Sequence, residues 1–198
     1  MKKTITTTGG KRADNPAFIM GERIYLREVR LSDVNENYYR WLNDPDVTRY
    51  LETRYIPRSL ENIRQYVESM DVNPDEIFLA ICLKENGMHV GNIKLGPINR
   101  IHRFADISLL IGEKSVWRQG IGTEAIRLLA NFAFDVLNLN KLRSGCYEDN
   151  KGSMKAFLKA GFVQEGILRK QWQVNGIFQG EIVFGLCREE MMPREISK

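Results

Sequence analysis

The chain is poor in the residues that bind metals or cross-link small proteins. It carries two histidines, His89 and His102, and three cysteines, Cys82, Cys146 and Cys187. Two histidines exclude a histidine-rich zinc site, and no metal is expected. An odd number of widely spaced cysteines, each in an apolar strand-like segment, reads as buried free thiols in a reducing compartment. No apolar run approaches membrane-spanning length and the first residues lack the apolar core of a signal peptide, so a cytoplasmic protein with no membrane partner is expected. No dense Lys/Arg block and no basic stripe with stacking aromatics is present, which argues against a nucleic-acid partner. The net charge of +4 is mild, and it suits an anionic cofactor at least as well.

What is present suits one globular domain. With 198 residues, 43% apolar and 27% charged, the chain can bury a core without metals or disulfides. A Thr- and Gly-rich start places residues 1–20 as an extension, 21–190 as the domain and 191–198 as a tail. Ile24 to Val29 reads as a first strand, and Ser32-Asp33 can cap a helix to about Leu42, stopped by Asn43-Asp44-Pro45. After Ser59, the residues Leu60, Ile63, Val67 and Met70 fall on one helical face. Strands follow at Ile77 to Leu83 and Val90 to Leu95, turned through Asn86-Gly87. A longer helix shows Ile126, Leu129, Ala130, Ala133, Phe134 and Leu137 at helical spacing. Lys141 to Tyr147 is strand-like, Asn150 and Gly161 bracket a last helix, and Phe162 to Gly166 and Ile177 to Cys187 supply further strands about Asn175-Gly176. The aromatics Tyr38, Tyr39, Trp41, Tyr50 and Tyr55 read mainly as core.

One stretch organises the rest. Ile107 to Ile111 is a buried strand, Glu113 to Gly122 a basic glycine-punctuated turn, and Thr123-Glu124-Ala125 the opening of the long helix. Glycines let backbone approach a ligand, and the free N–H groups of a new helix attract an anion. Arg118 adds a full charge, so a phosphate or pyrophosphate is the natural guest. A Walker-type loop would need Gly-Lys-Ser/Thr, and a dinucleotide loop a third glycine; neither is present.

The run Trp117-Arg118-Gln119-Gly120-Ile121-Gly122 resembles the pyrophosphate loop of the GNAT superfamily of acyl-CoA-dependent N-acetyltransferases, whose pattern is Gln/Arg-x-x-Gly-x-Gly/Ala. Tryptophan at the first position is similar to the branch of ribosomal-protein alanine acetyltransferases and spermidine acetyltransferases. Asn150-Lys151-Gly152-Ser153, then Phe157, Gly161-Phe162 and Glu165-Gly166, match that family's later series except at Phe157, where many members carry tyrosine. The match runs from about Ile24 to Cys187. The resemblance implies an α+β fold with a mixed, mostly antiparallel central sheet flanked by helices, and three consecutive antiparallel strands leading into the loop. It also implies acetyl-CoA as co-substrate. Arg118, Gln119, Gly120, Ile121, Gly122 and Thr123 would hold its pyrophosphate, the edge of Leu109, Leu110 and Ile111 would pair with the pantetheine arm, and Asn150, Ser153 and Phe157 would lie beside that arm.

Acetyl transfer to an amine sets further demands. A lysine-like amine of pKa ~10.4 is neutral about once in 10³ molecules at pH 7, whereas an α-amine near ~7.8 is neutral roughly one time in ten. A general base, worth typically ~10²–10⁴-fold, is nearly essential for the first and helpful for the second. Asp106 stands where many relatives carry a glutamate and is the candidate base, with Ser108 on the same face to orient a water and Glu148 as the weaker alternative. Phe157 cannot reprotonate the departing thiolate, which leaves Tyr147 or solvent. Direct transfer without an acetyl-cysteine is expected. The acceptor classes are a small amine or amino-sugar, a protein N-terminus, and a polyamine, for which Glu28, Asp33, Glu36, Asp44, Asp46 and Glu52 offer carboxylates. The competing reading is a non-catalytic acyl-CoA sensor on the same fold. A homodimer is compatible with either.

Overall fold

The structure, a computed structural model, describes residues 17–191. Eight strands form one sheet in the order β1-β2-β3-β4-β5-β6-β8-β7, where β1 is Ile19–Met20, β2 Ile24–Glu28, β3 Ile77–Leu83, β4 His89–Leu95, β5 Phe104–Ile111, β6 Lys141–Tyr147, β7 Val163–Val174 and β8 Ile177–Cys187. Every neighbouring pair is antiparallel except β5 and β6, which run parallel. A parallel pair needs a crossover, and the helix α4 (Ile121–Asp135) supplies it. The expected α+β class with a mostly antiparallel sheet is what forms.

Two layers of helix cover the sheet. On one face, α4 and α5 (Lys151–Ala160) bury Ala125, Ile126, Leu129, Ala130, Ala133, Phe134 and Phe157 against Ile107, Leu142 and Phe184. On the other, α1 (Glu36–Asn43), α2 (Pro45–Thr48) and α3 (Leu60–Asp71) bring together Tyr38, Trp41, Val47, Ile63 and Val67. The first helix begins later than expected. Asn35, not Ser32 or Asp33, is its cap, accepting from the N–H groups of Asn37 and Tyr38. Asp33 is buried instead, its carboxylate gripped by both terminal nitrogens of Arg27 at 2.7 Å. Pro45 both ends the first helix and opens the next, where a missing N–H costs nothing.

The domain boundaries also need adjustment. Residues 17–20 belong to the fold: the Phe18 N–H donates to the Leu26 carbonyl, and β1 pairs with β2. The rest of the expected extension, and residues 192–198 of the expected tail, lie outside the described residues. Cys82 and Cys146 are buried and free, as expected, and Cys187 is half-buried.

Candidate active site at the parting of two strands

The parallel pairing of β5 and β6 is short. It joins Phe104 to Lys141, Ala105 to Leu142 and Asp106 to Arg143, and then the strands diverge. Ser144 closes the bottom of the fork by donating its hydroxyl to the Ile107 carbonyl at 2.9 Å. Beyond it, Leu109, Leu110 and Ile111 stay paired to β4 on one edge, while their other edge faces the gap. An unpaired strand edge inside a molecule is a row of hydrogen-bonding groups waiting for an extended ligand.

The glycine turn stands at the mouth of this fork. Gly120 is the N-cap of α4 with φ 84°, in the left-handed region that a side chain rarely adopts, and no side chain caps the helix. The first-turn N–H groups of Ile121, Gly122 and Thr123 therefore lack an intrahelical acceptor. Arg118 is exposed and also has positive φ, 63°. Trp117, in the place of the usual Gln or Arg, pins the turn to the sheet by donating its indole N–H to the Ile111 carbonyl at 2.8 Å. Gln119 faces back into the turn, donating to the Ser115 carbonyl at 2.8 Å. A side chain at Gly122 would press on Leu109 Cδ1 at 3.3 Å, so only glycine leaves that approach open without pressing on a neighbour.

The sequence did not reveal what holds the turn in place. Arg23 donates to the Gln119 carbonyl at 2.7 Å and through Nε to Glu124 at 3.0 Å. Glu124, in the first turn of α4, accepts the N–H groups of Glu22 and Arg23 at 2.9 Å and of Ile24 at 3.3 Å. Burial works to raise the Glu124 carboxyl, but the N–H groups of Arg23 and Ile24 and the Arg23 guanidinium outweigh it and hold it below the usual range. An open cleft of about 480 Å³ lies here, lined by Arg23, Gly120, Thr123, Arg127 and Lys159 among others. Cations from three separate segments line this cleft together with two carboxylates, Glu22 and Glu124, the second already paired with Arg23, so a mild positive excess stands beside the exposed helix terminus, where an anion is favoured. Nothing local in the sequence links Arg23, Arg127 and Lys159 to the glycines.

Across the fork, the expected companions of the arm divide. Asn150 caps α5 by accepting the Ser153 N–H at 3.1 Å, and Ser153 is half-buried at the same terminus. Phe157 does not reach the cleft. It is 1% exposed, stacked on Phe184 and edge-on to Phe162, so the expectation that it borders the arm is corrected: its ring belongs to the core. Asp106 and Ser108 do share a face, the one opposite α4. Asp106, however, is committed to Arg143, whose Nε and a terminal nitrogen lie 2.7 and 3.3 Å from its two oxygens.

Tyr147 ends β6 on that same face. Its ring stacks on Trp172 at 5.5 Å and meets Tyr50 at 5.7 Å, and its hydroxyl donates to Glu52 and accepts from Arg54. Burial, then the Glu52 carboxylate, push the Tyr147 hydroxyl up to about 12. Tyr55 closes the rim by donating to the Gln173 carbonyl at 2.6 Å. Of the five early aromatics, Tyr38 and Trp41 are core and Tyr39 packs beside them, while Tyr50 and Tyr55 border this cleft. Glu148 is exposed and accepts the Gly180 N–H at 3.2 Å.

Comparison with known proteins agrees with this geometry. Residues 23–163 match the family described as the acetyltransferase (GNAT) domain. The probable N-acetyltransferase YjcK of Bacillus subtilis is 28% identical over 179 residues, covering 87% of this chain and 98% of its own. The spermidine N(1)-acetyltransferase of Escherichia coli K12 is 27% identical, over 81% of this chain and 80% of its own. A spermidine N-acetyltransferase from Vibrio cholerae, solved with CoA and spermine, superposes with a TM-score of 0.76 over 85% of this chain and 97% of its own, at 20% identity. The fork, the glycine turn and these matches give one conclusion: the chain belongs to the GNAT acetyltransferase family.

Proposed function

We propose that this N-acetyltransferase takes its acetyl group from acetyl-CoA and passes it directly to the primary amine of a small molecule, an amino-sugar or a protein N-terminus. The observation that carries the reading is the start of α4, uncapped by any side chain among the described residues, beside a strand edge that has no partner among them. Arg118, Gln119, Gly120, Ile121, Gly122 and Thr123 would hold the pyrophosphate, chiefly by main-chain N–H groups. One helix terminus gives an anion up to about 2 kcal/mol, so Arg118 and the cations of the adjoining cleft must share the task. The edge at Leu109 to Ile111 would take the amide-bearing arm, with Asn150 and Ser153 opposite. The thioester would then lie near Ser108 and Gly145.

On the acceptor side, Tyr147 keeps its proton through neutral pH and can return one to the leaving sulfur. Asp106 and Ser108 line the approach. The acidic residues that could have received a polyamine are mostly matched within the protein: Asp33 by Arg27, Glu28 by Arg30, and Asp44 and Asp46 by Lys114. That arrangement supports an acceptor with one primary amine over a chain of several. A screen of amines for thiol release from acetyl-CoA tests the proposal. Release with a single-amine acceptor is the expected result. Tight CoA binding with no release from any amine would support the sensor reading instead.

A further inference from the structure

A residue outside every motif occupies the floor of the fork. Gly145 is the first residue of β6 beyond the Ser144 closure, it is exposed, and it faces the acceptor side together with Arg143 and Tyr147. A Cβ built on Gly145 would fall 2.0 Å from Oε1 of Glu181. The Glu181 carboxylate therefore lies directly over the Gly145 backbone, where the gap between β5 and β6 begins. Glu181 reaches this place from β8, where it is the register partner of Tyr147.

We propose that Glu181 is the general base that takes the proton from the acceptor ammonium. This rests on the acetyl-transfer reading of the same site. The other carboxylates near this face are placed differently: Asp106 is paired with Arg143, Glu52 accepts from the Tyr147 hydroxyl, and Glu148 is exposed beyond the end of β6, where it accepts the Gly180 N–H. Glu181 is half-buried, and no cation lies within ion-pair distance of it among the described residues. Burial raises its carboxyl above the usual range, partly opposed by a hydrogen bond from Trp172. The same bond fixes the side chain, since an indole can only donate. The charged and titratable groups about it include Tyr147 beside it, the Cys146 thiol on the strand of Tyr147, whose titration is raised by burial and further by Glu181, Glu52 and Arg54 beyond the Tyr147 ring, the Asp106–Arg143 pair along the fork, and Glu148 at the end of β6.

The step balances. Glu181 takes one proton from the ammonium and frees the nitrogen lone pair. That pair forms the N–C bond to the thioester carbonyl, while the C–S bond breaks with its electrons on sulfur. The Tyr147 hydroxyl gives its proton to the thiolate and is reprotonated by the second nitrogen proton, and Glu181 releases its own to solvent. One ammonium and one thioester thus give one amide, one thiol and one proton.

The test is Glu181→Gln, which keeps the shape and the acceptor for Trp172. Toward an alkylamine at pH 7, kcat/KM should fall by about 10²-fold or more, and the acidic limb of the pH profile should vanish. Toward a weakly basic amine, already neutral at pH 7, the loss should shrink to a few-fold, because no proton has to be removed first. Acetyl-CoA affinity by calorimetry should stay unchanged, and infrared titration should lose one carboxyl band that titrates above the ordinary glutamate range. Gly145→Ala, which displaces the carboxylate but leaves it in the chain, should reproduce the same dependence on amine basicity. An equal loss for amines of every basicity, or no loss at all, would overturn the assignment. A wild-type enzyme that releases no thiol with any amine would overturn the transfer reading itself.

Discussion

Glu124 gathers three main-chain N–H groups and the Arg23 guanidinium on one carboxylate, so the turn between β1 and β2 and the start of α4 share a single acceptor. Glutamine would keep an oxygen for the N–H groups but set an NH2 against Arg23 Nε and remove the charge that strengthens all four bonds, a loss of about 1 kcal/mol given that Arg23 is half exposed. Glu124→Gln should lower the urea midpoint accordingly, and the effect should be largest at neutral pH. The sign follows from its lowered carboxyl: the stabilisation is complete above the unfolded glutamate range, near ~4.3, and fades as pH falls through the folded value. Wild type and variant should therefore draw together as pH falls below that range, and a constant gap across pH would show that charge is not the cause. Because Arg23 also holds the Gln119 carbonyl, the same residue pair decides how rigidly the turn presents its N–H groups.

At the scale of elements, α5 shows how short helices owe their position to their ends. Its ten residues expose most of one face, and burial comes mainly from Phe157 and Ala160. Asn150 at the start and Gly161 in the left-handed region at the end therefore carry weight. Asn150→Ala should cost about 1 kcal/mol in chemical denaturation. It should also weaken acetyl-CoA binding if that terminus borders the arm; an unchanged affinity would confine Asn150 to capping. Such punctuation is why α4, α5, β3, β6 and β8 could be read from the sequence: caps and tight turns adjoin uninterrupted apolar patterns. Where pattern and punctuation separate, legibility fails. Asn35 replaced Ser32-Asp33 as the first cap because Arg27 draws Asp33 into the interior. The run of β7 past Gly166 was hidden by register shifts at Gln164/Gly166 and Leu168/Trp172, which break the alternation expected of a strand.

Across the whole molecule, a buried polar network underlies the α1–α3 layer. Arg27 and Asp33 form a buried ion pair, and His89 lies beside it with Nε2 near the Gly91 carbonyl at 2.9 Å and Asn92 Oδ1 at 2.8 Å. Both partners accept, so Nε2 carries the hydrogen. Burial, only partly offset by Asn92 and Asp33, holds the His89 ring below its ordinary value and neutral. A depressed folded value means that stability is complete above the unfolded value near ~6.5 and is lost as pH falls below it. Urea unfolding should show lower stability at pH 5.5 than at pH 7.5, by at most about 1.4 kcal/mol per pH unit for this one group. His89→Gln should flatten that dependence; an unaltered slope would assign it elsewhere.

The site itself was legible only in part, for the same reason. The glycine turn and the Asn150 terminus are local, and sequence shows them. The Arg23–Glu124 clamp and the seat of Glu181 over Gly145 depend on which strands meet, which no local spacing records. The account rests on the main-chain cradle between Arg118 and Thr123, and Gly122 is its cleanest probe. Gly122 lies within α4 at ordinary backbone angles, whereas Gly120 would be strained by any side chain. Calorimetric titration of acetyl-CoA into wild type and Gly122→Glu is the most direct measurement. The account predicts saturable binding by wild type and at least a tenfold weaker affinity in the variant, through crowding at Leu109 and like charge against phosphate, with the circular dichroism spectrum unchanged. Equal affinity in the two proteins would contradict it.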